Sequence, residues 1–320
     1  MEKDKISVIM SFYNEKEEEI TKSINSILNQ TYKNWELILI CDNPSRLETY
    51  NLLKKIYKYE KRIKLSINSQ NIGLALSMNK AIEIAVGEYI ARMDSDDICI
   101  LNRFEEQINF MKKNNLDLCC SEFLFIDEED KIFFKEYTKY SSNEIIKLLP
   151  YQNTIHHPTV MIKKNIIESV KGYRNFPCAQ DYDLWLRLFE KNISMGILNK
   201  PLIKYRIRKN SISQSKKLKQ INTVWYIRKC FWERKKNGKD SFTIENYNEY
   251  LRKQKVFDSN YNKKFKKDQN FKNKIDLYKK NNKSIYYILI MFLFIRSSFY
   301  KKYYINIIKN KFYILINYKI

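Results

Sequence analysis

The chain has 320 residues, and its 44% hydrophobic and 14% aromatic content is enough for a packed core, which excludes a wholly disordered protein. The net charge of +23 is uneven: residues 1–200 hold 28 Lys/Arg against 29 Asp/Glu, whereas residues 201–320 hold 31 against 7. The last 120 residues therefore suit a phosphate-rich partner, and six cysteines without a C-x-x-C pair argue against a zinc site.

Strand-like and helix-like runs alternate through the first hundred residues. We expect strands at residues 6–12, 36–41, 63–67 and 88–93, and helices at 18–28, 47–59 and 73–86. This order predicts an α/β fold with a mainly parallel sheet between helices. In such sheets ligands gather at the carboxyl ends of the strands, which is where Asp42 and the acidic run 94–97 fall.

The alternation continues less regularly to about residue 214. We expect a hairpin of residues 116–126 and 131–134, a strand at 158–162, a helix at 181–189 and final strands at 193–198 and 202–207. Beyond this point the helical segments are strongly basic. We therefore predict an α/β domain at 1–214, with halves of about 1–100 and 101–214, and a basic helical extension at 215–320.

Asp94 and Asp96 stand two residues apart at a strand end, so their carboxylates point to the same side. Mg²⁺ and Mn²⁺ are commonly held by one or two carboxylates together with substrate phosphates. An isolated Asp-x-Asp pair more often simply faces water, so the pair alone is a weak indication of a metal site.

Further motifs surround this pair, in order, across residues 5–213. They are residues 8–15 (VIMSFYNE), 26–31 (SILNQT), 36–42 (ELILICD), 71–75 (NIGLA), 87–97 (GEYIARMDSDD), 102–103 (NR), 157–161 (HPTVM), 172–174 (GYR) and 180–185 (QDYDLW). Together they resemble glycosyltransferase family 2, which has the GT-A fold, a Rossmann-like mixed sheet flanked by helices. The resemblance implies transfer of a sugar from a nucleotide donor with a divalent metal, Mn²⁺ or Mg²⁺.

The resemblance also implies a role for individual residues. Asp94 and Asp96 match the metal motif, Asp96 being the more direct ligand, and Asp181 matches the catalytic base of inverting members. The positions matching the nucleotide-sugar site are Ser11, Tyr13, Glu15, Asp42, Asn71, Arg92, Asp94 and Ser95. A positioned carboxylate is chemically apt, because a sugar hydroxyl must lose its proton as the new bond forms. Asp181 could equally cap the helix that follows it.

Three positions depart from the family pattern. Cys41 stands where an Asp commonly precedes Asp42, and Gln180 replaces a frequent Glu. Arg208 occupies a position that is often His, and it would contact diphosphate oxygens or remain a solvated surface charge. His157 is a candidate contact on the acceptor side.

The segment 284–320 mixes apolar runs with lysines. It suits a helix lying in a membrane interface, or a helix packed on the α/β domain. Its longest uncharged apolar run, residues 285–295, is too short to span a bilayer, and we expect no signal peptide at the N-terminus. We expect a cytoplasmic protein that is peripheral on the inner face of the membrane.

The function expected from these observations is inverting sugar transfer from a UDP-linked donor to a glycan or lipid-linked glycan, as in capsule or lipopolysaccharide synthesis. One alternative is a membrane-associated nucleotide-sugar-binding protein that has lost turnover. A nucleotidyltransferase is disfavoured because residues 11–18 are acidic and contain no Gly. Nucleic acid is not expected as a partner, because no nucleic-acid-binding module accompanies the tyrosines of the basic region.

Overall fold

A computed structural model describes residues 1–136, 141–208, 217–281 and 283–318. The chain divides into two compact units, Met1–Ser215 and Lys216–Ile320. The boundary predicted near residue 214 lies within residues 209–216, outside the described part of the chain.

The first unit is built on one mixed sheet. Its strands are β1 (Glu2–Phe12), β2 (Trp35–Cys41), β3 (Ile63–Ile67), β4 (Gly87–Arg92), β5 (Ile98–Cys99), β6 (Leu118–Ile126), β7 (Ile132–Glu136), β8 (Met161–Lys163) and β9 (Met195–Arg206). In the described residues they are ordered β3-β2-β1-β4-β8-β6-β9-β5, and β7 pairs with β6. Strands β3, β2, β1 and β4 are parallel, β8 runs antiparallel to both of its neighbours, and β6 and β9 are parallel. The predicted α/β class with a mainly parallel sheet is confirmed.

Helices flank this sheet. They are α1 (Glu17–Leu28), α2 (Leu47–Ile56), α3 (Leu74–Ile84), α4 (Arg103–Lys113), α5 (Ser142–Leu148), α6 (Lys164–Ser169) and α7 (Gln180–Glu190). The helix predicted at 18–28 is confirmed as α1, whose Ile20, Ile24 and Ile27 are fully buried in the core beside Trp35. Burying each such side chain contributes about 1.5–3 kcal/mol.

Two predictions about the later strands are wrong. Residues 157–159 form a short 3₁₀ turn, and the strand starts only at Met161; Pro158 has no N–H to give a sheet. The two strands predicted at 193–198 and 202–207 are one strand, β9, which continues through Pro201. The interruption is absorbed as register shifts against β6, between Ser121 and Phe123.

The second unit is helical in its described residues. Its helices are α8 (Lys217–Asn237), α9 (Ile244–Lys253), α10 (Ser259–Asn281), α11 (Lys283–Arg296) and α12 (Ser298–Tyr318). Tyr226 of α8 packs against Tyr247 of α9, whose hydroxyl bonds to Thr223 at 2.7 Å. Within the described residues, no helix combines the length and the apolar character that crossing a membrane requires.

Candidate active site

Asp42 follows β2 and is buried, and its carboxylate organises the loop before α3. One oxygen accepts from Asn68 Nδ2 at 2.8 Å and from the backbone N–H of Ile72 at 3.0 Å, while the other accepts from the N–H of Gly73 at 2.9 Å. Gly73 has φ +87° and ψ 159°, a conformation that only glycine adopts readily. Asp42 therefore fixes the loop that leads into α3. Asn71 also bonds there, its side-chain oxygen accepting from the N–H of Gly73 at 3.0 Å.

The loop after β1 is held by Glu15. Its carboxylate accepts from the N–H groups of Tyr13 and Asn14, at 2.6 and 3.1 Å, which leaves the Tyr13 ring exposed. Ser11, in the same strand end, is partly buried. The charge of Glu15 adds a small contribution to the raised pKa of Asp96, so this loop lies within electrostatic reach of the acidic turn.

Arg92 ends β4 and is buried beside the acidic turn. One terminal nitrogen pairs with Asp94 Oδ1, whereas its Nε and its other terminal nitrogen have no hydrogen-bond partner. The backbone here is fixed by the fully buried Arg103, whose guanidinium donates to the Arg92 carbonyl at 2.9 Å. Two buried donor nitrogens of Arg92 thus have no hydrogen-bond partner, which is unusual for buried polar atoms and marks Arg92 as a candidate ligand contact.

Asp96 forms an ion pair with Arg208, which comes near the end of the first unit in the sequence. Its Oδ2 lies 2.9 Å from Nε of Arg208, and Arg208 Nη2 also donates to Glu19 at 2.8 Å. Burial and the charge of Asp94 raise the pKa of Asp96 to about 7, and Arg208 opposes this increase. The residues that follow Arg208, 209–216, lie outside the described part of the chain.

The buried Asp97 and Arg206 complete the acidic turn. Asp97 Oδ1 accepts from the backbone N–H of Arg206 at 2.9 Å. The Arg206 side chain donates to the carbonyls of Asp96 and Asp127, both at 2.8 Å, and pairs with Asp130. Burial, reinforced by Asp94 and Asp96, raises the pKa of Asp97 well above its usual range. Ser95, between the two predicted metal ligands, is also buried.

Asp181 stands in the first turn of α7. Its Oδ2 accepts a 2.9 Å hydrogen bond from Asn153 Nδ2. The N-cap position of the helix belongs to Ala179, in the left-handed region, rather than to Asp181. Burial raises the pKa of Asp181, and the bond from Asn153 and the charge of Arg92 partly offset that increase.

The buried Tyr173 lies within electrostatic reach of both the acidic turn and the expected base. Its hydroxyl bonds to Nε2 of His157 at 2.8 Å. Burial, together with the charges of Asp181 and Asp94, raises the pKa of Tyr173, so both carboxylates act on one side chain. Burial and Arg92 lower the pKa of His157, which keeps its ring neutral. The structure thus brings Asp181 within electrostatic reach of Arg92 and close to the same side chain as Asp94, although both lie far from Asp181 in the sequence.

The acidic turn suits a divalent cation that is shared with a substrate. Among the described residues, no group of three or more His, Cys, Asp and Glu side chains could hold a metal alone. Asp94 and Asp96 each give one oxygen to an arginine and keep the other uncommitted. Two such oxygens fit Mg²⁺ or Mn²⁺ when phosphate oxygens and water supply the remaining ligands.

Comparison with known proteins identifies the family. Residues 7–170, just over half of the chain, match the family model described as glycosyl transferase family 2. The chain belongs to glycosyltransferase family 2. An uncharacterised glycosyltransferase of Methanocaldococcus jannaschii is 38% identical over 242 residues, 74% of this chain and 82% of that protein.

Two relatives in this family come from Escherichia coli. The O-antigen biosynthesis glycosyltransferase WbnJ is 37% identical over 66% of this chain and 83% of its own length. WfgD, described as a UDP-Glc:α-D-GlcNAc-diphosphoundecaprenol β-1,3-glucosyltransferase, is 35% identical over 69% of this chain and 84% of its own.

The fold of this family 2 member is shared with a solved structure. Residues 1–349 of S. aureus TarS, in complex with UDP, superpose with a TM-score of 0.57 at 18% identity, covering 77% of this chain and 69% of that one. This likeness confirms the GT-A-like architecture predicted from the motifs.

Sequence reasoning missed four polar residues that shape the site: Asp97, Arg206, Asn153 and Glu19. Asp97 adjoins the predicted metal pair, and Arg206 is two residues from Arg208, so both lie next to positions that the sequence singled out. Asn153 and Glu19 had no such signal in the sequence. Asn153 contacts Asp181, which is 28 residues away, and Glu19 contacts Arg208, which is 189 residues away.

Proposed function

We propose that this family 2 glycosyltransferase is an inverting, metal-dependent enzyme that moves a sugar from a UDP-linked donor to a hydroxyl of a glycan or lipid-linked glycan. The observation that carries the proposal is that the charges of Asp94 and Asp181 both reach the buried hydroxyl of Tyr173 and raise its pKa. Inverting transfer requires such a pair, one acid on the diphosphate side of the reacting carbon and a base on the other.

Asp181 is the proposed base. It accepts the proton of the acceptor hydroxyl as the hydroxyl oxygen forms its bond to the anomeric carbon and the bond to the diphosphate breaks. A raised pKa makes its carboxylate a stronger base than an exposed aspartate. The hydrogen bond from Asn153 orients one carboxylate oxygen and leaves the other for the acceptor. A single displacement of this kind inverts the configuration of the sugar.

Asp94 and Asp96 are the proposed metal ligands. A bound Mn²⁺ or Mg²⁺ would neutralise the charge that develops on the departing diphosphate. Arg92 would contribute its two unsatisfied N–H donors to donor oxygens, and Arg208 would act as a fixed cation beside the diphosphate. His157 bonds to Tyr173, and it would support the acceptor side through that contact.

The nucleoside is proposed to lie at the ends of β1 and β2. Ser11, Tyr13 and Glu15 would line one wall, with the exposed Tyr13 ring available for contact with the base. Asp42 and Asn71 would hold the opposite loop, and Ser95 would lie beneath the donor. The relation to WfgD, whose name specifies a UDP-glucose donor and a diphosphoundecaprenol-linked acceptor, supports uridine and a lipid-linked glycan.

The proposed setting is bacterial surface polysaccharide synthesis, of the capsule or lipopolysaccharide kind, at the cytoplasmic face of the membrane. Both Escherichia coli relatives support it, one by its role in O-antigen synthesis and one by its lipid-linked acceptor. The excess of 27 Lys/Arg over 7 Asp/Glu in residues 216–320 favours attraction to anionic lipid.

The proposal is tested with purified protein, Mn²⁺, a panel of UDP-sugars and a crude lipid acceptor. Release of UDP is expected with at least one donor, and it should cease on removal of divalent metal. Asp181→Asn should lower transfer by at least 100-fold while UDP-sugar affinity stays within about twofold, because the amide keeps the shape but cannot take the proton.

Glu190→Gln, the same carboxyl-to-amide change at the last residue of α7, is the matched control and should retain activity. Full transfer by Asp181→Asn would refute the assignment of the base. Metal-dependent UDP-sugar binding without transfer to any acceptor would instead support the alternative of a binding protein that has lost turnover.

A further inference from the structure

Helix α11 is apolar on every side, yet one of its faces is open to solvent. Residues 285–295 contain no charged side chain. Its outer face, defined here as Tyr287, Ile288, Met291, Phe292 and Ile295, is between 52% and 75% exposed. At about 100° per residue these five side chains fall within roughly 140° of the helix circumference, so they form one continuous stripe.

The opposite side of α11 packs inside the second unit. Leu293, on that side, is fully buried. At the edge of the outer face, the Phe292 ring lies 6.1 Å from Phe271 of α10, and Arg296 lies over the same Phe271 ring at 5.8 Å. One side of the helix therefore packs inside the second unit, and the outer face is a separate surface.

Such a surface indicates a partner. Soluble proteins rarely expose a contiguous apolar stripe of this kind, and an all-round apolar helix is normally covered on all sides. The exposed residues are large aliphatic and aromatic side chains that are neighbours on one face of the helix. They differ in this from the singly scattered apolar residues that are common on protein surfaces.

The charge of the surrounding helices identifies the kind of partner. Helix α10, packed against α11, contains eight lysines and two aspartates. Residues 216–320 as a whole carry a net charge of +20. A second copy would bring the same positive charge and be repelled, whereas an anionic bilayer offers both negative headgroups and an apolar interior.

The dimensions of α11 favour an orientation in the plane of the membrane. Its 14 residues extend about 21 Å, less than the roughly 30 Å hydrocarbon core. Lys283 and Arg296 at its two ends can reach headgroups while the middle enters the acyl region.

We propose that the outer face of α11 inserts into the surface of an anionic lipid bilayer, with the lysines of α10 held at the headgroups. This inference deepens the proposed function by naming the segment that brings the enzyme to a lipid-linked acceptor. Lipid binding is measured without donor or acceptor, so it can fail while UDP-sugar transfer to a water-soluble acceptor succeeds. Lipid binding can likewise succeed while transfer fails, so the two proposals are tested separately.

The test is flotation of the full chain with vesicles of phosphatidylcholine alone or with 30% phosphatidylglycerol. The wild type should float with the anionic vesicles and lose binding as salt is raised. Met291→Glu/Ile295→Glu, two charges at i and i+4 on the outer face, should reduce the bound fraction at least tenfold. Leu52→Glu/Ile56→Glu is the matched control, because these two residues are also exposed at i and i+4, on α2 of the first unit.

A folded Met291→Glu/Ile295→Glu variant that floats like the wild type would overturn the proposal. So would a wild type that dimerises through this face in sedimentation and does not bind lipid, because a second copy would then be the partner. Binding to neutral and anionic vesicles alike would refute the role of the lysines.

A conservative variant keeps the test decisive if the charged variant fails to fold. Ile288→Trp places an indole on the outer face without adding charge. On anionic vesicles its added emission should shift to shorter wavelength and be quenched by lipids brominated in the acyl chain. Emission that is unchanged while the protein is vesicle-bound would show that another surface makes the contact.

Discussion

Nε of Arg208 lies 2.9 Å from Oδ2 of Asp96, so the carboxylate that we assign to the metal already faces a cationic side chain. Glu19 holds the other end of the same guanidinium at 2.8 Å. Arg208 is fixed in place by two carboxylates, which argues against the expectation of a freely solvated surface charge. The same charge can compete with a metal for Asp96 and can attract a diphosphate.

Arg208→Ala should therefore have opposite effects on two affinities. Mn²⁺ binding without nucleotide should tighten by roughly tenfold, or about 1.4 kcal/mol, because a competing cation is removed. Binding of UDP at saturating Mn²⁺ should weaken by a similar factor, because a phosphate contact is lost. Electron paramagnetic resonance of free Mn²⁺ and calorimetry of UDP measure the two quantities.

Lys200→Ala provides the control, because Lys200 makes an ion pair of the same length with Glu106 on the surface. It should change neither affinity. If Arg208→Ala weakens Mn²⁺ binding, Arg208 does not compete for Asp96 and instead organises the metal site.

Asn153→Ala should move the pH dependence of transfer. Asn153 stabilises the charged form of Asp181, so its removal raises a pKa that burial has already raised. A general base works only when deprotonated, and activity is lost as the pH falls through its pKa. The acidic limb of the kcat/KM profile should thus shift to higher pH.

The neighbouring exposed Gln152 supplies the comparison, and Gln152→Ala should leave the acidic limb in place. A lower kcat/KM for Asn153→Ala with the limb unmoved would mean that Asn153 affects geometry alone. A limb displaced to lower pH would show that Asn153 does not stabilise the charged form of Asp181.

The sequence predicted local structure better than tertiary contacts. Strand β3 was predicted at 63–67 and occurs at Ile63–Ile67, because its apolar residues alternate with polar ones at the period of a strand. Helix α4 (Arg103–Lys113) was missed although its buried residues Phe104, Ile108 and Met111 recur at helical spacing. Its polar composition masked that period, and its first residue, Arg103, is a fully buried cation, which is rare.

The site residues show the same difference between what local sequence predicts and what tertiary packing decides. Those within motifs, such as Asp42 and Asp181, could be named from the sequence, and the structure places them at the carboxyl end of β2 and the start of α7. The contact of Asn153 with Asp181 depends on how two loops pack, and no local pattern encodes it. The prediction of two strands separated at residues 199–201 was wrong, because a strand with a bulge tolerates a proline where one hydrogen bond of the sheet is absent.

Arg206→Ala should destabilise the first unit strongly. The buried side chain donates to two backbone carbonyls and pairs with Asp130, so its loss removes three polar contacts from a buried position at once. We expect a loss of about 3–5 kcal/mol in the free energy of unfolding. Urea denaturation followed by circular dichroism measures it. Arg46→Ala, which removes a partly exposed arginine whose side chain donates to Thr49, should cost less than about 1 kcal/mol.

Gly73→Ala tests whether the loop held by Asp42 shapes the donor site. A Cβ at Gly73 would meet no atom within 4 Å, so the expected loss of about 1–3 kcal/mol comes from the backbone at φ +87° alone. If the loop relaxes, the N–H groups of Ile72 and Gly73 leave the Asp42 carboxylate, and UDP affinity should fall together with stability.

Gly238→Ala separates these effects, because Gly238 has φ +74° and equally open space but lies in the second unit. It should lower stability without changing UDP affinity in calorimetry. A Gly73→Ala protein that unfolds earlier in urea yet binds UDP like the wild type would show that Asp42 serves the fold alone. In that case the nucleoside would have to be recognised by the β1 side of the cleft, through Ser11 and Tyr13.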